Sequence, residues 1–235
     1  MGLPKLKTPT MRVKLPSTGE DITLRAFLVK EEKIFLMAKE SGEGSDIFDA
    51  VRQIVNNCVL DEDFVVDDRP IFDLEYLFIK LRAFSVGNVI EFKVKDKEDE
   101  LTYDLSVDLN DIEINHANTI QNNDISINDN LGVKMKYPTP SFNSIIKTLE
   151  TEAEVVEATI MECIDYVYDD ENMWMWKECS DEEKVEFIEQ MDMKTYDRIK
   201  EFFEVIPNIR HEVKYENSLG HERKVVFNSL DDFFF

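Results

Sequence analysis

The sequence predicts an α+β fold: antiparallel N-terminal strands with packed helices, then an acidic helical domain that ends in a β-hairpin. Three observations predict it. Short runs with strict apolar–polar alternation come in pairs separated by turn residues, as half-buried hairpin strands do. Longer stretches repeat apolar residues at three- and four-residue spacing, the period of a helix with one buried face. After Pro138 and Pro140 the alternation gives way to mostly helical, strongly acidic sequence.

Taken in order, residues 1–10 carry Pro4 and Pro9 and read as an extended arm. Met11–Leu15 and Ile22–Phe27 alternate around the turn Pro16-Ser-Thr-Gly19, which predicts a hairpin. From Val29 a helix opens with Glu31 and Glu32, where the helix dipole favours carboxylates, and carries Ile34, Phe35, Met37 and Ala38. Ser45 or Asp46 caps a second helix with Ile47, Phe48, Val51, Ile54, Val55 and Cys58 on one face. Pro70 suits the first turn of a third, with Ile71, Leu74, Leu77, Phe78, Leu81 and Phe84. Val89–Val94 and Leu101–Val107 form a hairpin with a charged tip, residues 108–130 give short strand fragments or loop, and Leu131–Tyr137 alternates again. These elements make an α+β domain over 11–138. In 139–235, helices are predicted over 142–150, 152–168, 181–191 and 194–206, the third opened by the capping box of Ser180 and Glu183. Ile209–Tyr215 and Arg223–Phe227 form the closing hairpin, followed by a Phe-rich tail.

The 235 residues carry 50 acidic and 27 basic side chains, a net charge of −23. With 43% hydrophobic residues the acidity does not signal disorder, because a core can still be buried. Such a charge opposes nucleic-acid binding and adhesion to anionic membranes, since both present phosphates. No apolar run approaches the roughly 20 residues of a membrane span. The first residues are basic but hold no apolar stretch of a secretory signal, and Leu6 stands where a myristoylation motif needs Ser or Thr. The expectation is a soluble intracellular protein. Its three cysteines, Cys58, Cys163 and Cys179, form no short-spaced pair and read as reduced thiols, with Cys58 and Cys163 as buried small hydrophobes.

No motif supplies catalytic chemistry. His116, His211 and His221 have no ligand-spaced neighbours; His211 and His221 face each other across the predicted hairpin at most as a pair, short of a four-coordinate zinc site. The oxygen-rich run 122–132 lacks the order and closing Glu of a calcium loop. Seven glycines include no phosphate-cradling motif and no nucleophile elbow, and any carboxylate pair chosen among 50 acids is uninformative. The reading is therefore no enzyme, no cofactor and no metal.

Two features exceed a plain globular domain. Met173-Trp-Met-Trp176 concentrates residues enriched at interface hot spots, with a loop that plugs the core as the alternative. Phe233, Phe234 and Phe235 put three aromatic rings in succession, either docked in a partner's groove or packed on the chain's own helices. Trp174, Trp176, Phe233, Phe234 and Phe235 are the expected partner-binding residues. Between residues 150 and 205, 19 acidic side chains stand against 5 basic ones, a net of −14, which supplies orientation.

Several dispersed blocks resemble the baseplate hub and central spike assembly proteins of T-even-like contractile-tailed phages. They are Lys14-Leu-Pro-Ser-Thr-Gly19 running on through Arg25 and Phe27 to Glu31, Glu32 and Lys33; Asp73-Leu-Glu-Tyr-Leu-Phe-Ile-Lys-Leu-Arg82; the pair 211–215 and 223–227; and Leu230-Asp-Asp-Phe-Phe234. The similarity extends from about residue 12 to 234. It implies a non-enzymatic tail protein that assists assembly of the baseplate hub or spike, as a chaperone or as a part of it. Its partners would be hub or spike subunits, met in the host cytoplasm during assembly or in the virion tail. Self-association through the Phe tail stays open. The competing reading is an acidic DNA-mimic decoy that blocks a nucleic-acid-binding protein.

Overall fold

The computed structural model describes residues 6–41, 44–115 and 123–233. It is mixed α+β, with several small antiparallel sheets, and its chain forms two compact units: residues 1–115 with 207–235, and residues 116–206.

In the first unit, β1 (Thr10–Lys14) pairs with β2 (Asp21–Arg25), placing buried Val13 opposite Ile22. Helices α1 (Val29–Ser41), α2 (Gly44–Cys58) and α3 (Ile71–Ser85) follow. The buried face of α2, Ala50, Val51, Ile54, Val55 and Cys58, keeps the predicted spacing. In α3, Phe72, Leu74, Leu77, Phe78 and Leu81 are buried, and Phe78 receives the rings of Phe27 and Phe35 at 6.0 and 5.8 Å. β3 (Val89–Lys95) and β4 (Thr102–Asp108) make the charged-tip hairpin, and β5 (Ile114–Asn115) follows a short 3₁₀ turn.

The second unit is a four-stranded antiparallel sheet with helices on one face. Its strands are β6 (Asp124–Ser126), β7 (Gly132–Met135), β8 (Ile164–Tyr168) and β9 (Met173–Met175), in that spatial order. Its helices are α4 (Asn143–Ile146), α5 (Glu152–Cys163), α6 (Asp181–Glu189) and α7 (Met193–Glu204). The core joins Ile125, Val133 and Val167 from the sheet to Ile160 of α5 and Ile199 and Phe202 of α7. Both α5 and α6 start at reciprocal capping boxes, Thr151 with Glu154 and Ser180 with Glu183.

The chain then re-enters the first unit. β10 (Asn208–Ile209) pairs with β5, and β11 (His211–Glu216) with β12 (Glu222–Phe227) makes the expected hairpin. Phe227 is buried with its ring edge-on to Phe92 of β3 at 5.4 Å and stacked on Phe233 at 4.8 Å. At the tips, buried Asp96 accepts from the Tyr215 hydroxyl at 2.7 Å and from Arg223 Nε at 3.1 Å. The Tyr215 bond and the neighbouring amides outweigh burial and hold the Asp96 carboxyl down at about 2. Asp99 accepts from Ser218 N and Oγ at 3.0 and 2.8 Å, and Glu98 from Asn217 Nδ2 at 2.9 Å.

Three sequence expectations differ from this structure. The expected domains 11–138 and 139–235 do not coincide with the compact units, because the last hairpin is buried against β3 and tied to the 96–99 tip rather than kept with the acidic helices. The helix expected over 152–168 stops at Cys163. Ile164-Asp-Tyr-Val-Tyr168 is rich in β-branched and aromatic residues and pairs with both β7 and β9. The helix expected over 142–150 contracts to α4 and a preceding 3₁₀ turn.

The blocks that carry the phage-tail resemblance turn out to be the joints of the first unit. Ser17 of the Leu-Pro-Ser turn donates from its N at 3.0 Å and from its hydroxyl to the buried Asp73 carboxylate, in the first turn of α3. Burial pushes the Asp73 carboxyl up, against those two bonds. Arg25 grips the fully buried Glu31 through both terminal nitrogens, at 2.9 and 3.2 Å, and donates to the Asn57 carbonyl at 2.7 Å. Lys80 Nζ holds the turn after β4 through the carbonyls of Asn110 and Ile112, both at 2.9 Å.

Candidate partner-binding surface

Strand register sorts the second unit's sheet into two faces. Residues opposite one another share a face, so Ile125, Val133, Val167 and Trp174 form one row, and its first three members are in the core. Trp174 ends that row on the edge strand β9 and stays 44% exposed. The other face carries Asp124, Lys134, Tyr166 and Met175 in one row and Ser126, Gly132, Tyr168 and Met173 in the next. Lys134 Nζ pairs with Asp124 at 2.9 Å, the Tyr166 and Tyr168 rings lie 6.0 Å apart, and Met173 is 60% exposed. Gly132 leaves room for Tyr168, since a Cβ there would stand 2.5 Å from that ring.

The β8–β9 turn borders this face. Asp169 Oδ1 accepts from the amides of Glu171 and Asn172 at 2.8 and 2.6 Å, and these bonds hold its carboxyl below the ordinary range. Asp170 and Glu171 remain exposed. Tyr166, Tyr168, Met173 and the acidic turn together enclose a shallow depression of about 510 Å³. An aromatic and methionine floor beside free carboxylates suits a partner surface that is apolar with basic groups around it.

Of the five sequence-nominated residues, Trp174 and Trp176 lie in the second unit and Phe233 in the first. Trp174 is exposed at the sheet edge. Trp176 is 6% exposed, donates from Nε1 to the Met161 carbonyl at 2.7 Å, and meets Phe187 edge-on at 5.8 Å. It also walls a groove of about 570 Å³ lined by Phe142, Ile145 and Met161 with Lys136, Lys177 and Lys184. Phe233 is 2% exposed against Phe227, within the first unit. Phe234 and Phe235 lie outside the described residues. Tyr166 and Tyr168 were missed because their segment was read as helix, although Tyr-Val-Tyr already shows strand alternation.

Among the described residues no chemistry-bearing cluster emerges elsewhere. Among the described residues no group of three or more His, Cys, Asp or Glu side chains is placed to hold a metal ion. His211 stands opposite Phe227, while His221 lies in the turn with Nδ1 2.9 Å from Glu98, so the two do not face each other; His116 is outside the described residues. Burial pushes the Cys58 thiol up to about 11 and that of Cys163 to about 12, which keeps both protonated at neutral pH. Among the described residues no helix is long and apolar enough to cross a membrane.

The first unit is joined by the buried Arg25–Glu31 ion pair and by hydrogen bonds such as Ser17 to Asp73, and the second unit's sheet carries an open tyrosine–methionine face. Residues 8–235 match the family model of the T4 bacteriophage base plate protein, and the chain belongs to that family. A search of the curated proteins and a search of the solved structures each return no match. A baseplate protein has the other baseplate components of the phage tail as its partners.

Proposed function

We propose that this baseplate protein is a non-enzymatic assembly factor, a chaperone that holds a hub or central spike subunit until that subunit reaches its neighbours. The observation that carries the reading is the uncovered face of Tyr166, Tyr168 and Met173 beside the acidic Asp169–Glu171 turn. Apolar contact supplies the hold, and the net −14 of residues 150–205 speeds encounter with a basic surface. Trp174, exposed on the opposite face of the edge strand β9, adds a contact around the sheet edge, and Phe234 and Phe235 are proposed as separate apolar contacts. The acidic helices bury Ile199 and Phe202, and a methionine–tyrosine face has no part in mimicking a phosphate backbone, so both favour assembly over a DNA-mimic decoy.

Mass spectrometry of purified virions and of tail-assembly intermediates from infected cells tests the role. A chaperone is expected in intermediates together with hub subunits and depleted at least tenfold in virions. Equal stoichiometry in both would make the chain a component of the hub, and absence from both would sink the reading.

A further inference from the structure

In a chain with 50 carboxylates, buried or half-buried arginines find acidic partners: Arg25 has Glu31, Arg52 has Asp67 and Arg69 has Glu20. Arg82, at the C-terminal end of α3, does not. It is half-buried, and among the described residues no carboxylate lies within ion-pair distance of it and no group accepts a hydrogen bond from its guanidinium. Burial pushes its pKa below the ordinary arginine value, with the charge of Glu32 acting in the opposite direction. A guanidinium taken partly out of water without an anion is costly, and two parallel N–H bonds to a carboxylate are the usual remedy.

The surroundings say what would supply that carboxylate. Arg82 lines a cavity of about 310 Å³ with Phe35 and Lys39 of α1, Val86, Val89, Ile90 and the buried Phe233. Val86 and Val89 are 62% and 55% exposed, so the mouth is apolar and open. Gly87, at φ +150°, turns the chain between them in a conformation that favours glycine. Glu91 is at the rim, exposed, and does not reach the guanidinium. Cationic floor, apolar walls and a volume at the small end of ligand pockets fit one acidic side chain with an adjacent apolar one.

We propose that the Arg82 cavity is a docking socket for an acidic–apolar segment of a partner protein, whose carboxylate pairs with Arg82 while a neighbouring apolar side chain covers Val86 and Val89. This surface belongs to the first unit and has the opposite charge preference to the Tyr166–Tyr168 face, so it stands or falls separately from the proposed chaperone role.

The test uses the full chain with labelled methyl groups, followed by NMR during titration with phenylacetate, which combines a carboxylate with a ring. Saturable shifts are expected at the methyls of Val86, Val89 and Ile90, at least tenfold weaker with phenylacetamide or inorganic phosphate. Arg82→Gln is expected to abolish the response and to melt no lower than the parent, because the Arg82 guanidinium makes no hydrogen bond or ion pair among the described residues; Arg82→Lys should keep part of it. No saturable shift, an equal response to the amide or to phosphate, or a lower melting point for Arg82→Gln would overturn the socket. An Arg82-dependent dimer in sedimentation would overturn the heterologous partner and make a second copy the occupant.

Discussion

Replacing Phe227 by alanine is expected to destabilise the first unit by about 3–5 kcal/mol, the cost of deleting a fully buried aromatic ring. The ring lies between Phe92 and Phe233, so its removal opens a cavity that neither neighbour can close without leaving its own position. The melting midpoint of that unit should fall by roughly 10 °C. Calorimetry checks this, with Phe84→Ala as the control: Phe84 is exposed and should change stability by less than about 1 kcal/mol. A loss below about 1 kcal/mol for Phe227→Ala would contradict the docking of the closing hairpin on β3. The same geometry makes Phe233 part of the fold, so a truncation that removes it tests folding before it tests partner binding.

The second large effect is expected at Glu31. Its fully buried carboxylate accepts from both terminal nitrogens of Arg25 and from the Leu28 amide at 2.9 Å. Glu31→Gln keeps the shape and removes the charge: its one amide oxygen can still accept from Arg25, but its NH2 group then faces a donor, and the other Arg25 contacts are the carbonyls of Asn57 and Ala26. The expected cost is about 3 kcal/mol at pH 7, the lower part of the range for breaking a buried pair. Burial acts to raise the Glu31 carboxyl, but the bonds from Arg25 and Leu28 outweigh it and hold the group below its ordinary value. A carboxyl depressed in the folded state stabilises fully above the unfolded value of about 4.3 and loses that contribution as pH falls through the folded one. Urea unfolding should therefore show a gap between parent and Glu31→Gln that is constant near neutrality and closes below about pH 4. A gap that persists unchanged at pH 3 would contradict the ion pair.

Local pattern carried the helices and hairpins. The three- and four-residue spacing in α3, the Ser180–Glu183 box and the alternation around the charged 96–101 tip are short-range signals, and each names its element directly. β8 was hidden because it follows α5 with no Gly or Pro between Cys163 and Ile164, so one apolar run served a helix and then a strand. The return of 207–235 to the first unit depends on Phe227 meeting Phe92 and Tyr215 meeting Asp96, pairs more than 100 residues apart that no local pattern announces. The site divides along the same line. Trp174 was legible from composition, whereas Trp176 and Phe233 owe their burial to Phe187 and Phe227, and Tyr166 and Tyr168 share an open face only because β8 pairs in register with β7 and β9.

The central claim is that the open face of the second unit's sheet holds a hub or spike subunit. Its most direct test is calorimetric titration of the purified chain with each hub and spike subunit of the same phage, in parallel with a variant carrying Tyr166→Ala, Tyr168→Ala and Met173→Ala. These residues are at least partly exposed, so the variant should fold as the parent does and lose binding at least 30-fold, the scale of a hot spot of about 2 kcal/mol. A correctly folded variant that binds every such subunit with the parent's affinity, or a parent that binds none, would contradict the account.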